Sequence, residues 1–232
     1  MIDIIRADSR GAADHGWLKS KHTFSFADYH DPSRMGFAKL RVVNEDWIEP
    51  GQGFGTHPHR DMEIVTYMID GALEHKDSMG NGSVIRAGEL QRMTAGTGVL
   101  HSEFNHSGEA QAHLLQIWIL PEQKGLEPGY EQKLFPTKEK HNQWRVVGSR
   151  DGRDGSLTIH QDVILSSTVL DEASVIDYSF DGSRHGFVQV VRGTVEIDAE
   201  QLSAGDALAT QDQPALSVKA IEAAELLLFD MA

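Results

Sequence analysis

Cysteine is absent from all 232 residues, which removes disulfides, thiolate nucleophiles and zinc-finger ligation from consideration. Any metal must therefore be held through histidine, carboxylate or carbonyl oxygen. No stretch approaches the roughly 20 apolar residues of a membrane-spanning helix, and Met1-Ile2-Asp3-Ile4-Ile5-Arg6 lacks the basic start and long apolar run of a signal peptide. The expectation is a soluble, cytoplasmic protein with no membrane partner. Positive charge is scarce: 21 Lys and Arg stand against 35 Asp and Glu, a formal net charge of -14. That balance repels a phosphate backbone and no basic run offsets it, so direct nucleic-acid binding is not expected. Sustained apolar stripes of helical period are missing too, so helices should be few and short.

What is present is the composition of a folded globular chain, 40% hydrophobic and 24% charged. From Phe37 onward it breaks into short apolar and β-branched segments, such as Glu63-Ile64-Val65-Thr66-Tyr67-Met68-Ile69 and Leu114-Leu115-Gln116-Ile117-Trp118-Ile119-Leu120. Turn signals separate them at Asp70-Gly71, Gly80-Asn81-Gly82, Asp151-Gly152, Asp154-Gly155 and Asp181-Gly182. These features predict an all-β sandwich or barrel.

An internal repeat divides the chain. Tyr67 to His75 followed by Ile85 to Leu90 resembles Gln189 to Ile197 followed by Leu202 to Ala207. Each copy reads as a strand, a glycine turn, a second strand and an Ala-Gly-acid turn, which fits two similar β-domains better than a solenoid. The expected division is 1–133 and 134–232, with the Pro-, Gly-, Glu- and Lys-rich stretch from Pro121 to Lys140 as the crossover.

Within the first domain, His57-Pro58-His59 and His101-Ser102-Glu103 each place two potential ligands two residues apart. Residues i and i+2 of a strand share a face, so each pair would project together into the domain interior. Three imidazoles and a carboxylate suit one divalent transition metal, iron foremost, with nickel, copper, cobalt, manganese and zinc also compatible. Gly51, Gly53 and Gly55 before the first pair, and Gly96-Thr97-Gly98 before the second, are consistent with tight turns that aim the strands. Phe54 is a candidate pocket wall. His22 reads as a packed histidine or a site-lining one, and His75 and His113 as ordinary, partly buried histidines.

Gly51, His57-Pro58-His59, Glu63 and Gly71, then Gly98-Val99-Leu100-His101 and Asn105, resemble the two motifs of the cupin superfamily, although Gly96 stands where proline is usual. A fuller match, through His22-Thr23-Phe24-Ser25-Phe26-Ala27, His75-Lys76-Asp77-Ser78 and His101-Ser102-Glu103, is to the pirin family, and within it to the bacterial quercetin dioxygenases. The resemblance implies a bicupin of two jelly-roll domains whose N-terminal half binds one metal through His57, His59, His101 and Glu103. Glu63, at the ordinary cupin ligand position by rough spacing, becomes a residue that could orient a ligand imidazole. The C-terminal copy offers only His185-Gly186-Phe187 opposite the first pair and has no histidine from Leu202 to Gln213, so it is expected to be metal-free and structural.

The activity implied by the resemblance is cleavage of a flavonol such as quercetin by O2 with release of carbon monoxide, Glu103 accepting the proton of the 3-hydroxyl. The family also contains a second kind of member, a metal-dependent redox sensor that binds transcription regulators, for which the partner is a protein. A cupin isomerase or storage-like barrel would lack the ligand set, which is intact here.

Overall fold

A computed structural model describes residues 2–232. Its first half holds β1 (Ile2–Ile5), β2 (Gly11–Asp14), β3 (Leu18–His22), β4 (Leu40–Ile48), β5 (Gly53–His59), β6 (Glu63–Asp70), β7 (Ala72–Asp77), β8 (Gly82–Arg86), β9 (Glu89–Thr94), β10 (Val99–Asn105), β11 (Ala112–Ile119) and β12 (Gly129–Leu134). The second holds β13 (Arg145–Ser149), β14 (Leu157–Thr158), β15 (Val163–Leu170), β16 (Val175–Ser179), β17 (His185–Arg192), β18 (Thr194–Ile197), β19 (Glu200–Ser203), β20 (Ala207–Gln211), β21 (Ala215–Ala220) and β22 (Ala224–Met231). Among the described residues the only α-helix is the four-residue α1 (Thr137–Lys140), as the missing helical periodicity predicts. No helix there is long and apolar enough to cross a membrane.

The strands form two compact units. One contains Gly11–Leu134 and Leu157–Gln161, with a seven-stranded sheet in the order β12-β9-β6-β11-β4-β3-β2 and a four-stranded sheet in the order β5-β10-β7-β8. Leu18, Ile48, Met68 and Leu114 of the larger sheet and Leu73 and Ile85 of the smaller one share a single buried cluster, so the two sheets face each other across a core. Hydrogen bonding leaves them as two sheets and not one closed barrel. The other unit repeats the plan, with β1-β20-β17-β22-β15-β13 and β16-β21-β18-β19, and its core draws Val188, Leu226 and Leu228 from one sheet and Val195, Ile197 and Val218 from the other.

Two segments lie outside a simple cut at 133/134. β1 pairs antiparallel with β20, which places the chain up to Arg10 in the second unit, and Leu157–Gln161 belongs to the first. Neither is legible from composition, because strand pairing across some 200 residues leaves no local signal. The stretch expected as crossover is partly β12, an edge strand hydrogen-bonded to β9 from Gly129↔Thr94 to Leu134↔Glu89.

The repeat is visible in backbone geometry. Gly71, between β6 and β7, has φ of 78°, and Gly193, between β17 and β18, has φ of 75°. At both, the chain leaves the larger sheet for the smaller one. A Cβ on Gly193 would stand 2.1 Å from the Ala223 carbonyl oxygen, and one on Gly71 2.9 Å from that of Gln111. Only glycine meets both demands.

Candidate metal centre

β10 is an inner strand of the four-stranded sheet, between β5 at the sheet edge and β7. Its register sets the site: His101 stands opposite His57 on β5 and Asp77 on β7, while Glu103 stands opposite Phe54 and His75. A bulge between His101 and Glu103 gives β5 one extra residue against β10, and Gly55 and Gly53 lie in or beside it. Gly53 is obligatory there, since a Cβ would sit 2.2 Å from the Glu103 carbonyl oxygen. The glycines before the first histidine pair thus let β5 approach the strand that carries the second.

The three histidines converge. Ring centroids lie 4.4 Å apart for His57 and His101, 4.8 Å for His57 and His59, and 4.8 Å for His59 and His101. One nitrogen from each falls within a 4.8 Å span. His57 Nδ1 lies 2.8 Å from the Gly55 carbonyl oxygen, and since a carbonyl only accepts, Nδ1 carries the proton. The Nε2 lone pair is thereby left facing His101 Nε2 at 3.0 Å. Two donor nitrogens about 2.1 Å from one ion, in adjacent octahedral positions, would be separated by about 3.0 Å.

The protonation states of the imidazoles suit ligation. Burial, followed by the neighbouring histidines, holds His101 down at about 3, and burial with the charge of His57 holds His59 at about 4. Both rings are therefore neutral at pH 7, with lone pairs free. Burial drives Glu103 the other way, to about 7, with the charge of Asp46 adding to the rise and a Gln116 hydrogen bond opposing it. Gln116 Nε2 donates to Glu103 Oε2 at 3.0 Å, while Oε1 is buried without a partner. A buried carboxylate with one orphaned oxygen beside neutral imidazoles fits a divalent cation.

Not every expected residue takes its expected place. Glu103 groups with His101 and His75 within 4.8 Å, while the other group of donors within that span is His57, His59 and His101. Glu63 is fully buried, but its Oε2 accepts hydrogen bonds at 3.2 Å from the His160 backbone N–H and Nδ1–H. Among the described residues no hydrogen bond joins it to His57, His59 or His101, so the orienting role expected of it is not seen. The sequence spacing that suggested it is along β6, and β6 lies in the opposite sheet from β5 and β10.

His75, read as an ordinary histidine, is fully buried 5.4 Å from the His101 ring. Its Nε2–H donates to Asp77 Oδ2 at 3.0 Å, which leaves Nδ1 to accept, at 3.5 Å, from Gln91 Nε2. With both nitrogens engaged it supports the site by packing. The His-x-Asp spacing at 75 and 77 resembles that of the ligand pairs and is the one signal that could have marked it.

Beside the centre lies a cavity of about 800 Å³, lined by His57, His59 and Glu103 and walled by Trp17, Phe26, Tyr29, Phe54 and Trp118. His22 lines it as well and stacks on Phe26 at 5.4 Å. Its volume suits a drug-sized aromatic ligand. Among the lining residues there is no Lys or Arg.

Gln116 was not singled out by sequence either. Thr66 Oγ1 donates to its Oε1 at 3.2 Å, fixing the amide so that Nε2 faces Glu103. Gln116→Leu removes that donor while keeping side-chain bulk, and metal affinity should fall about 10- to 100-fold. Competition with a chelator measures it, and an unchanged affinity would remove Gln116 from the support of Glu103.

Comparison with known proteins places the chain in a family. Residues 5–119 match the Pirin family model, and residues 146–231 match the model of the quercetinase C-terminal cupin domain. Quercetin 2,3-dioxygenase of Escherichia coli K12 is 51% identical over 233 residues, covering 100% of this chain and 99% of that protein. A pirin-like protein of Caulobacter vibrioides is 40% identical over 100% of both chains. The crystal structure of the bacterial pirin YhhW of Escherichia coli in complex with nickel(II) superimposes with a TM-score of 0.95 at 49% identity, covering 100% of this chain and 99% of that one.

Proposed function

Since this chain belongs to the pirin family of bicupins, we propose that it is a metal-dependent dioxygenase that cleaves flavonols such as quercetin with O2 and releases carbon monoxide. The observation that carries the reading is the convergence of His57, His59 and His101, with Glu103 adjoining them through His101, beside an aromatic-walled cavity lined by no Lys or Arg. A carboxylate substrate would find no Lys or Arg to pair with there. A flat, neutral aromatic finds Trp17, Phe54 and Trp118.

His57, His59, His101 and Glu103 are the proposed ligands. A bound divalent ion supplies positive charge that makes a nearby hydroxyl more acidic. Glu103 is buried beside the centre with Gln116 on Oε2, so Oε1 is the oxygen that takes the proton when the carboxylate loosens from the ion. The His57 Nδ1–H bond to Gly55 keeps Nε2 directed at the centre throughout. The aromatic walls hold the ring system in place and exclude water.

The test is elemental analysis and anaerobic reconstitution with iron, nickel, copper, cobalt or manganese, followed by oxygen uptake and carbon monoxide detection with quercetin. One metal per chain with matched O2 consumption and carbon monoxide release is expected. Metal bound at that stoichiometry without turnover, across the series, would overturn the dioxygenase reading in favour of a metal-dependent sensor that binds a protein partner.

A further inference from the structure

The wall of the cavity formed by the larger sheet carries polar side chains that the metal centre does not use. Ser20 on β3 stands opposite Asp46 on β4, His22 stands opposite Asn44, and all four line the cavity. Asp46 is buried, and Ser20 Oγ donates to its Oδ1. Among the described hydrogen bonds none engages Oδ2. Asn44 is 3% exposed, and its Oδ1 has no hydrogen-bond partner at all. Two acceptors with spare capacity therefore stand two residues apart on one strand face, across the cavity from the histidine-bearing sheet.

Such acceptors are complementary to a hydrogen-bond donor. An anion placed against this wall would be repelled by Asp46, and no Lys or Arg lines the cavity to offset it. A purely apolar group would keep both acceptors unsatisfied. A hydroxyl on an aromatic ring satisfies them and leaves the ring for the aromatic walls.

We infer that Asp46 and Asn44 form a hydroxyl-recognition subsite, which selects aromatic ligands bearing a hydroxyl besides the one directed at the metal centre. The subsite rests on the reading of this cavity as a flavonol site and specifies the substrate class as polyhydroxylated. Asp46 is the principal acceptor, because a carboxylate accepts more strongly than an amide oxygen.

Binding to the metal-loaded full chain under anaerobic conditions, followed by quenching of tryptophan emission, tests the subsite without turnover. The probes are quercetin against 3-hydroxyflavone, and resorcinol against its dimethyl ether. The wild-type chain should bind the more hydroxylated member of each pair about tenfold or more tightly. Asp46→Asn should erase most of that preference by weakening the hydroxylated member alone, with metal content unchanged, and Asn44→Leu should reduce it to a smaller degree. A wild-type chain with no preference in either pair, or a preference that both variants retain, overturns the subsite. Failure of both flavonols to bind, with resorcinol still preferred over its ether in an Asp46-dependent way, upholds the subsite and overturns the flavonol reading.

Discussion

Replacing His101 with alanine is expected to abolish metal retention and, with it, the proposed flavonol cleavage. His101 is 1% exposed and lies at the centre of the donor set, in contact with the rings of His57, His59 and His75. Its Nε2 faces that of His57 at 3.0 Å, so its loss removes one of the two best-converged donor atoms. Changing a residue that merely supports a ligand costs about 10- to 100-fold in affinity, so losing a ligand should cost more than about 100-fold. The fold should survive, because the Nδ1 atom of His101 has no hydrogen-bond partner to leave stranded. Elemental analysis after dialysis, with circular dichroism on the same sample, separates the two effects. A folded variant that is metal-free and fully active would sink the proposed chemistry.

Glu103→Gln should have the second largest effect and a different signature. The amide keeps an oxygen at the same position and the shape of the side chain, but it carries no negative charge and cannot take up a proton. At saturating metal, turnover should fall by about 10²- to 10⁴-fold, the range associated with loss of a general base. Binding of quercetin under anaerobic conditions should change far less, since the aromatic walls and the histidines are untouched. Wild-type turnover with metal in place would exclude Glu103 from proton transfer.

The extent to which this architecture can be read from the sequence differs from element to element. The glycine turns at Gly71 and Gly193 and the strand pairs around them announce the repeat, because a positive-φ turn between two short apolar segments is a local demand that local chemistry answers. The histidine pairs are equally local, since i and i+2 on one strand share a face whatever the strand pairs with. Glu63 shows the limit of that reasoning. Its spacing from His59 suggested a shared site, yet β6 runs in the other sheet and its carboxylate meets His160, nearly a hundred residues away.

The other supporting residues are invisible for the same reason. Gln116 reaches Glu103 only because β11 and β10 belong to facing sheets, and its amide is fixed by Thr66 on the neighbouring strand. His75 became a neighbour of the donor set through the register of β7 with β10, which places it opposite Glu103. Asp46 and Asn44 read in sequence as polar residues of a strand, and nothing local says that their face is a cavity wall.

By itself, then, the sequence determined the all-β class, the doubling of the domain, the candidate donor set His57, His59, His101 and Glu103, and the lack of an equivalent set in the second copy. These follow from residue type and from spacings of a few residues, over which strand geometry is rigid. Tertiary structure alone decided that β1 joins the second unit, that Glu63 turns to His160, that Gln116 restrains Glu103, and that Asp46 and Asn44 face an aromatic cavity. Each of those depends on which strands pair and in what register, a choice made by burial of apolar surface over the whole domain and carried by no short stretch of the chain.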